Sequence, residues 1–181
     1  MSLGASPGSS RLLLWRLALG AVALLLLWRM LVVGVSGHYV DRIEVEGEAA
    51  AQKALAWNPS HPEALRVAAR RGLEADPAAA AVKAERALQF NPADARALLV
   101  LAYARLALGE SEAADGHARQ AARLMPAKAS VRMGLTEYWL KREQPGEAVV
   151  QLDQALRIKP ALGRELFPRL LQVAESAEAR G

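Results

Sequence analysis

Four prolines fall at an almost constant interval along the chain: Pro59, Pro92, Pro126 and Pro160, separated by 33, 34 and 34 residues. Each interrupts a helical pattern, because proline lacks an N–H and disfavours helix in the residue before it. A fixed period near 34 means that one small unit recurs. A unit this short buries its apolar face only by stacking on its neighbours. Small residues keep the same register. Ala102, Ala114, Ala121 and Pro126 lie 12, 7 and 5 residues apart, and Thr136, Ala148, Ala155 and Pro160 repeat those steps. Ala69, Ala80, Ala87 and Pro92 follow at 11, 7 and 5, the missing residue falling in the turn at Asp76-Pro77, an N-cap followed by proline at the first helical position. Alanine at such sites lets helix backbones approach closely, while Leu98, Leu101, Leu135, Leu152 and Leu156 fill the space between. Residues 95–126 show the plan: two amphipathic helices joined at Gly109-Glu110, the glycine supplying a left-handed residue after the first helix. Pro145-Gly146 is expected to fill that turn in the next unit.

Composition agrees with paired helices. Hydrophobic residues make up 52% of the chain but aromatics only 5%, so alanine and leucine carry the apolar content and a sheet is disfavoured. The fold class expected is all-α. There are no cysteines, which excludes disulfides, thiolate metal sites and cysteine nucleophiles. The net charge of +4 does not imply nucleic-acid binding. Arg11, Arg16 and Arg29 lie in or beside an apolar N-terminal segment, and the remaining 20 Lys+Arg nearly balance 19 Asp+Glu.

The 34-residue period and the alanine steps over 62–160 resemble the tetratricopeptide-repeat family. Two features depart from its pattern. The large aromatic early in the first helix is Leu98 or Arg132 here, and the glycine after the next leucine is Ala102 or Thr136. The resemblance implies an α-solenoid of about three helix pairs over 58–160, with capping elements. A leading half-repeat helix is expected at 38–57, with Ile43, Ala50, Ala54 and Trp57 on one face, and a C-terminal capping helix at 161–181, kinked near Pro168. The family's first helices line a concave groove that holds protein partners. Carried over by position, this implies Arg66 and Arg70 in the first unit, with Glu63; Arg96, Leu99, Tyr103 and Leu106 in the second; and Met133, Glu137 and Lys141 in the third, with Leu140. Arginines at one end and an apolar middle would suit a peptide with an apolar stretch and an acidic end; an ordinary solvated helix face is the competing reading. The subset that clamps a C-terminal carboxylate uses asparagine and lysine where this chain has Arg66, Arg70 and Val100, so that activity is not implied.

The N-terminus poses a separate question. Residues 1–11 are Gly/Ser/Pro-rich and expected to be disordered, followed by LLLWRLALGAVALLLLWRMLVVGV over 12–35. Twenty-four helical residues extend about 36 Å, and roughly 20 cross a bilayer core. Arg29 lies six residues from the end; a central arginine costs about 2.5–3.5 kcal/mol on insertion scales and less where it snorkels. The leucines and valines outweigh it, and a single transmembrane helix is expected at 12–35. Arg29 either snorkels or meets an acid in a partner's membrane helix. Arg11 and Arg16 precede the nineteen residues 17–35, which hold Arg29 alone, while DRIEVEGE follows them, so the positive-inside rule predicts a cytoplasmic N-terminus and an exported body. A cleaved signal peptide, cut after Ser36, competes, although Arg29-Met-Leu-Val-Val interrupts its layout. A buried core helix is the weaker alternative.

No catalytic motif appears: no HExxH, GxSxG, Walker loop or GxGxxG, and His38, His61 and His117 are not at ligand spacing. Glu110, Glu112 and Asp115 cluster near a helix start, where complementing the helix dipole is reason enough. The expectation is a non-enzyme without cofactor or metal. It would be a membrane-anchored scaffold or adaptor of a bacterial inner-membrane type, in a setting such as polysaccharide assembly or export or cytochrome c maturation. The alternative is a regulatory subunit of a membrane enzyme docked through its transmembrane helix; a carrier of a small ligand or glycan is a third, weaker reading.

Overall fold

A computed structural model of the chain describes residues 7–43 and 47–164, with side chains from residue 14 onward. Those residues form no strand. The chain divides into two compact units, Met1–Ala64 and Leu65–Gly181.

The first unit is built on α1 (Pro7–Asp41), 35 residues in one unbroken helix. It begins inside the stretch expected to be disordered, and residues 1–6 lie outside the described residues. Leu14–Asp41 is long and apolar enough to cross a membrane. Every described side chain from residue 14 to 31 is exposed, Arg29 among them. From Val32 the environment changes. Val32, Val35, Ser36, Tyr39, Val40 and Ile43 are buried or half-buried, the spacing of one helical face. They meet α2 (Glu48–Trp57), whose Ala50, Ala51 and Ala54 are fully buried. The single helix expected at 38–57 is therefore two helices. Gly47 breaks it with φ at 63°, a conformation glycine adopts at no steric cost, and donates its N–H to the Ile43 carbonyl at 2.9 Å. The long apolar helix thus doubles as the first helix of a hairpin, and α2 is the second.

Helix α3 (Pro62–Gly72) contains the division between the units. The second unit continues with α4 (Pro77–Phe90), α5 (Ala95–Ala107), α6 (Ser111–Leu124), α7 (Ala129–Lys141) and α8 (Pro145–Ile158); residues 161–164 start a further helical turn. The rest of the expected capping helix, with Pro168, lies outside the described residues. Asp76 caps α4 by accepting from the Ala79 N–H, and Asp94 caps α5 by accepting from the Arg96 and Ala97 N–H groups. Helices α5 and α6 pack as one hairpin and α7 and α8 as the next, with α5 also against α4 and α7. All nine small residues of the repeating register are buried, from Ala69, Ala80 and Ala87 through Ala102, Ala114 and Ala121 to Thr136, Ala148 and Ala155. Leu98, Leu101 and Leu135 are buried between them, while Leu152 and Leu156 stay half-buried.

One turn differs from expectation. Pro145 and Gly146 do not fill the turn of the third unit; they are the first two residues of α8. Glu143 takes the left-handed position instead, with φ at 57°, where Gly109 stands in the preceding unit with φ at 81°. The same bonds close both helix ends: Glu110 N–H to the Arg105 carbonyl and Gln144 N–H to the Trp139 carbonyl, each 2.9 Å. Arg132, where the family's aromatic would stand, is itself buried. Its buried guanidinium donates to Gln151 Oε1 (2.6 Å) and to the carbonyls of Pro126 (3.0 Å) and Ala122 (3.3 Å), tying α7 to α8, to α6 and to the turn before α7.

Candidate partner-binding face

Within the second unit, α5 and α7 lie side by side as first helices of successive hairpins. Their approach is set by Gly134: a Cβ at that position would run into the Leu99 side chain. The bare backbone also leaves its carbonyl open, and Tyr103 Oη donates to it at 2.9 Å. The Tyr103 ring stands edge-on to Tyr138, centroids 5.6 Å apart, and Tyr138 stands edge-on to Trp139 at 5.0 Å. Lys141 Nζ sits 5.5 Å from the Tyr103 centroid, within cation–π range. Burial, with Glu137 nearby, pushes the Tyr103 hydroxyl pKa well up, against an opposing pull from Arg70. Tyr103 is thus the point around which Arg70, Glu137 and Lys141 gather.

The nine groove residues expected from the sequence therefore divide by environment. Leu99, Tyr103 and Leu106 are half-buried and packed against the core, and Met133 is half-buried. Arg70, Arg96, Glu137 and Lys141 are exposed, as is Leu140. Arg66 departs from the expected groove position: it is 7% exposed, and its Nε lies 3.5 Å from Asp94 Oδ2. The Asp94 carboxylate that caps α5 so also engages a cation from α3, and Arg96 Nε stands 3.9 Å from its other oxygen. What the face offers to solvent is a set of charged tips over a half-buried apolar floor.

A second polar cluster was not anticipated. Asp115 is only 7% exposed and does more than complement a helix dipole: it accepts from Tyr138 Oη at 2.6 Å and lies 3.3 Å from Arg142 Nε. Burial, then the bond to Asp115, raises the Tyr138 pKa. Asp115 is the fifth residue of α6, beyond the first turn, and that position was the available signal. Arg105 joins Glu85 on α4 and Glu110 after α5, the latter at 2.6 Å. Among the described residues no group of three or more His, Cys, Asp or Glu is placed to hold a metal ion.

The hairpins, the 34-residue register and the side-by-side first helices are those of the tetratricopeptide-repeat fold, and the chain has that fold. It is similar to TTC0263, a thermophilic TPR protein of Thermus thermophilus, with a TM-score of 0.55 and 23% identity over 71% of this chain and 72% of that one. It is similar also to MamA, in one structure with a TM-score of 0.51 and 16% identity over 74% of this chain and 81% of that one. A second MamA structure gives 0.50 and 16%, covering 74% and 75%. No family model matches the sequence, and no curated protein matches it.

Proposed function

We propose that the chain is a single-pass membrane-anchored scaffold whose exported repeats hold a protein partner on the first-helix face. The observation that carries this reading is α1, an apolar helix with every described side chain from residue 14 to 31 exposed, running without a break into a packed hairpin. A bilayer accounts for those exposed leucines, valines and tryptophans. Cleavage after Ser36 would remove Val32, Val35 and Ser36, half of the α1 face that packs on α2, which supports an anchor that stays in place. The fold supports a protein partner, since a repeat solenoid presents an extended surface. On this reading residues 1–11 are cytoplasmic and the repeats lie on the far side of an inner membrane of bacterial type, with polysaccharide assembly or export and cytochrome c maturation as candidate settings. Reporter enzymes fused after Gly181 test the topology. Activity is expected from the reporter that works only outside the cytoplasm, and activity confined to the cytoplasmic reporter would sink the exported reading.

The exposure of Arg29 favours a second reading, a regulatory subunit docked on a membrane enzyme through α1. Arg29→Leu would then lower co-purification of the enzyme from detergent; unchanged recovery removes that docking mode.

A further inference from the structure

We propose that Trp57 is a second point of contact with the membrane, seated in the lipid–water interface of the bilayer that α1 crosses; this rests on the spanning reading of α1. The register of the first hairpin carries the inference. Helices α1 and α2 are joined by a connection of a few residues and pack on each other, so α2 runs back along α1. One contact marks the approximate level: Lys53 Nζ lies 5.7 Å from the Tyr39 ring centroid. Trp57 is four residues beyond Lys53, about 6 Å further back at the helical rise. Four residues back from Tyr39 is Val35, the last residue of the apolar run. The end of α2 therefore stands within one helical turn of Val32, where the fully exposed part of α1 stops and its protein-facing part begins.

At that height the hairpin leaves a large side chain outside. Trp57 is 40% exposed although it ends a helix whose Ala50, Ala51 and Ala54 are fully buried. An indole with an apolar body and one N–H donor suits the headgroup level better than either bulk water or hydrocarbon. Because α1 is continuous, nothing between the span and the hairpin lifts α2 away from the bilayer. The opposite end of α2 is different: Glu48, nine residues earlier, stands about 13.5 Å higher. The surface so defined is a lipid-contacting edge on the first hairpin, its occupant the interface of the same bilayer.

The chain has no cysteine, so single-cysteine variants of the full chain carry one spin label each. Leu24→Cys, Ala56→Cys and Glu48→Cys, reconstituted in phosphatidylcholine–phosphatidylglycerol vesicles, report depth through relaxation by oxygen, which enters lipid, and by a nickel chelate, which does not. All three positions are exposed in the structure. Leu24 is expected deep in the hydrocarbon and Glu48 in water. Ala56, next to Trp57, is expected at headgroup level, with nickel accessibility several-fold below that at Glu48. Nickel access at Ala56 equal to that at Glu48, with Leu24 still protected, overturns the proposal and leaves the spanning reading standing. Nickel access at Leu24 overturns the spanning reading itself, and the interface contact with it.

Discussion

The hairpins α5/α6 and α7/α8 repeat one plan at an offset of 34 residues and solve its local problems differently. Asp94 caps the middle hairpin, whereas its counterpart Lys128 makes no side-chain cap. Leu98 packs as a plain hydrophobe, while Arg132 at the same place is a buried cation with three acceptors. Gly109 turns the chain where Glu143 turns it 34 residues later, and His117 occupies the position of Gln151. The alanines do not change: Ala114 and Ala148, Ala121 and Ala155 are buried alike. What a repeat cannot vary is backbone proximity. Caps, turns and polar partners are interchangeable at a cost of about 1 kcal/mol each, and drift is tolerated there.

The comparison is broken most easily at what the hairpins share. Ala114→Glu should destabilise the fold by about 3 kcal/mol or more, by overpacking and by burying an unpaired charge, and Ala148→Glu should do the same. Thermal unfolding of the full chain in detergent checks both; an unchanged midpoint would mean that these are not close-approach positions. Next in size is Arg132→Leu, which copies the middle hairpin's choice. It strands Gln151 and two carbonyls and should cost about 1–3 kcal/mol in chemical denaturation, with Gln151→Leu in the same chain restoring part of the loss. Glu143→Gly works in the opposite direction. Removing a side chain from a left-handed position should raise stability by about 1 kcal/mol, and Gly109→Ala should lower it by a similar amount.

The smallest effect concerns pH. Burial, with Arg105 nearby, holds the His117 pKa below its ordinary 6.5, Glu85 opposing. The unfolded chain therefore binds the proton more readily. The contribution of His117 to stability is present above about pH 6.5 and is lost as pH falls from there through the folded value. His117→Gln, the residue of the third unit, should flatten the dependence of the unfolding midpoint on pH across that window. An unaltered slope assigns the acid sensitivity elsewhere.

The repeat plan was legible because it is written in residue size. Nine small residues at nearly fixed steps from proline all prove buried, since close helix approach admits little else. The first hairpin was not read, although counting 5, 12 and 24 residues back from Pro59 reaches Ala54, Gly47 and Val35. There the leucines that face away from the hairpin swamp the face that builds it, so one continuous apolar signal hid two environments. Polar partnerships were the least legible. Arg66 with Asp94, Asp115 with Tyr138, and Tyr103 with the Gly134 carbonyl join residues 23 to 31 positions apart. No local pattern marks which polar side chain turns inward, so a groove residue and a buried ion pair look alike until the helices are set together.

The unbroken course of α1 makes it a keyed shaft. Seven residues separate Arg29 from Ser36, and seven residues fall about 20° short of two full turns, so the two share nearly one azimuth. Since Ser36 is buried in the hairpin, the compass bearing of the hairpin around the shaft is phase-locked to that of Arg29. One residue inserted between them would swing the two apart by about 100°, whereas seven would nearly restore the bearing while adding about 10.5 Å of shaft.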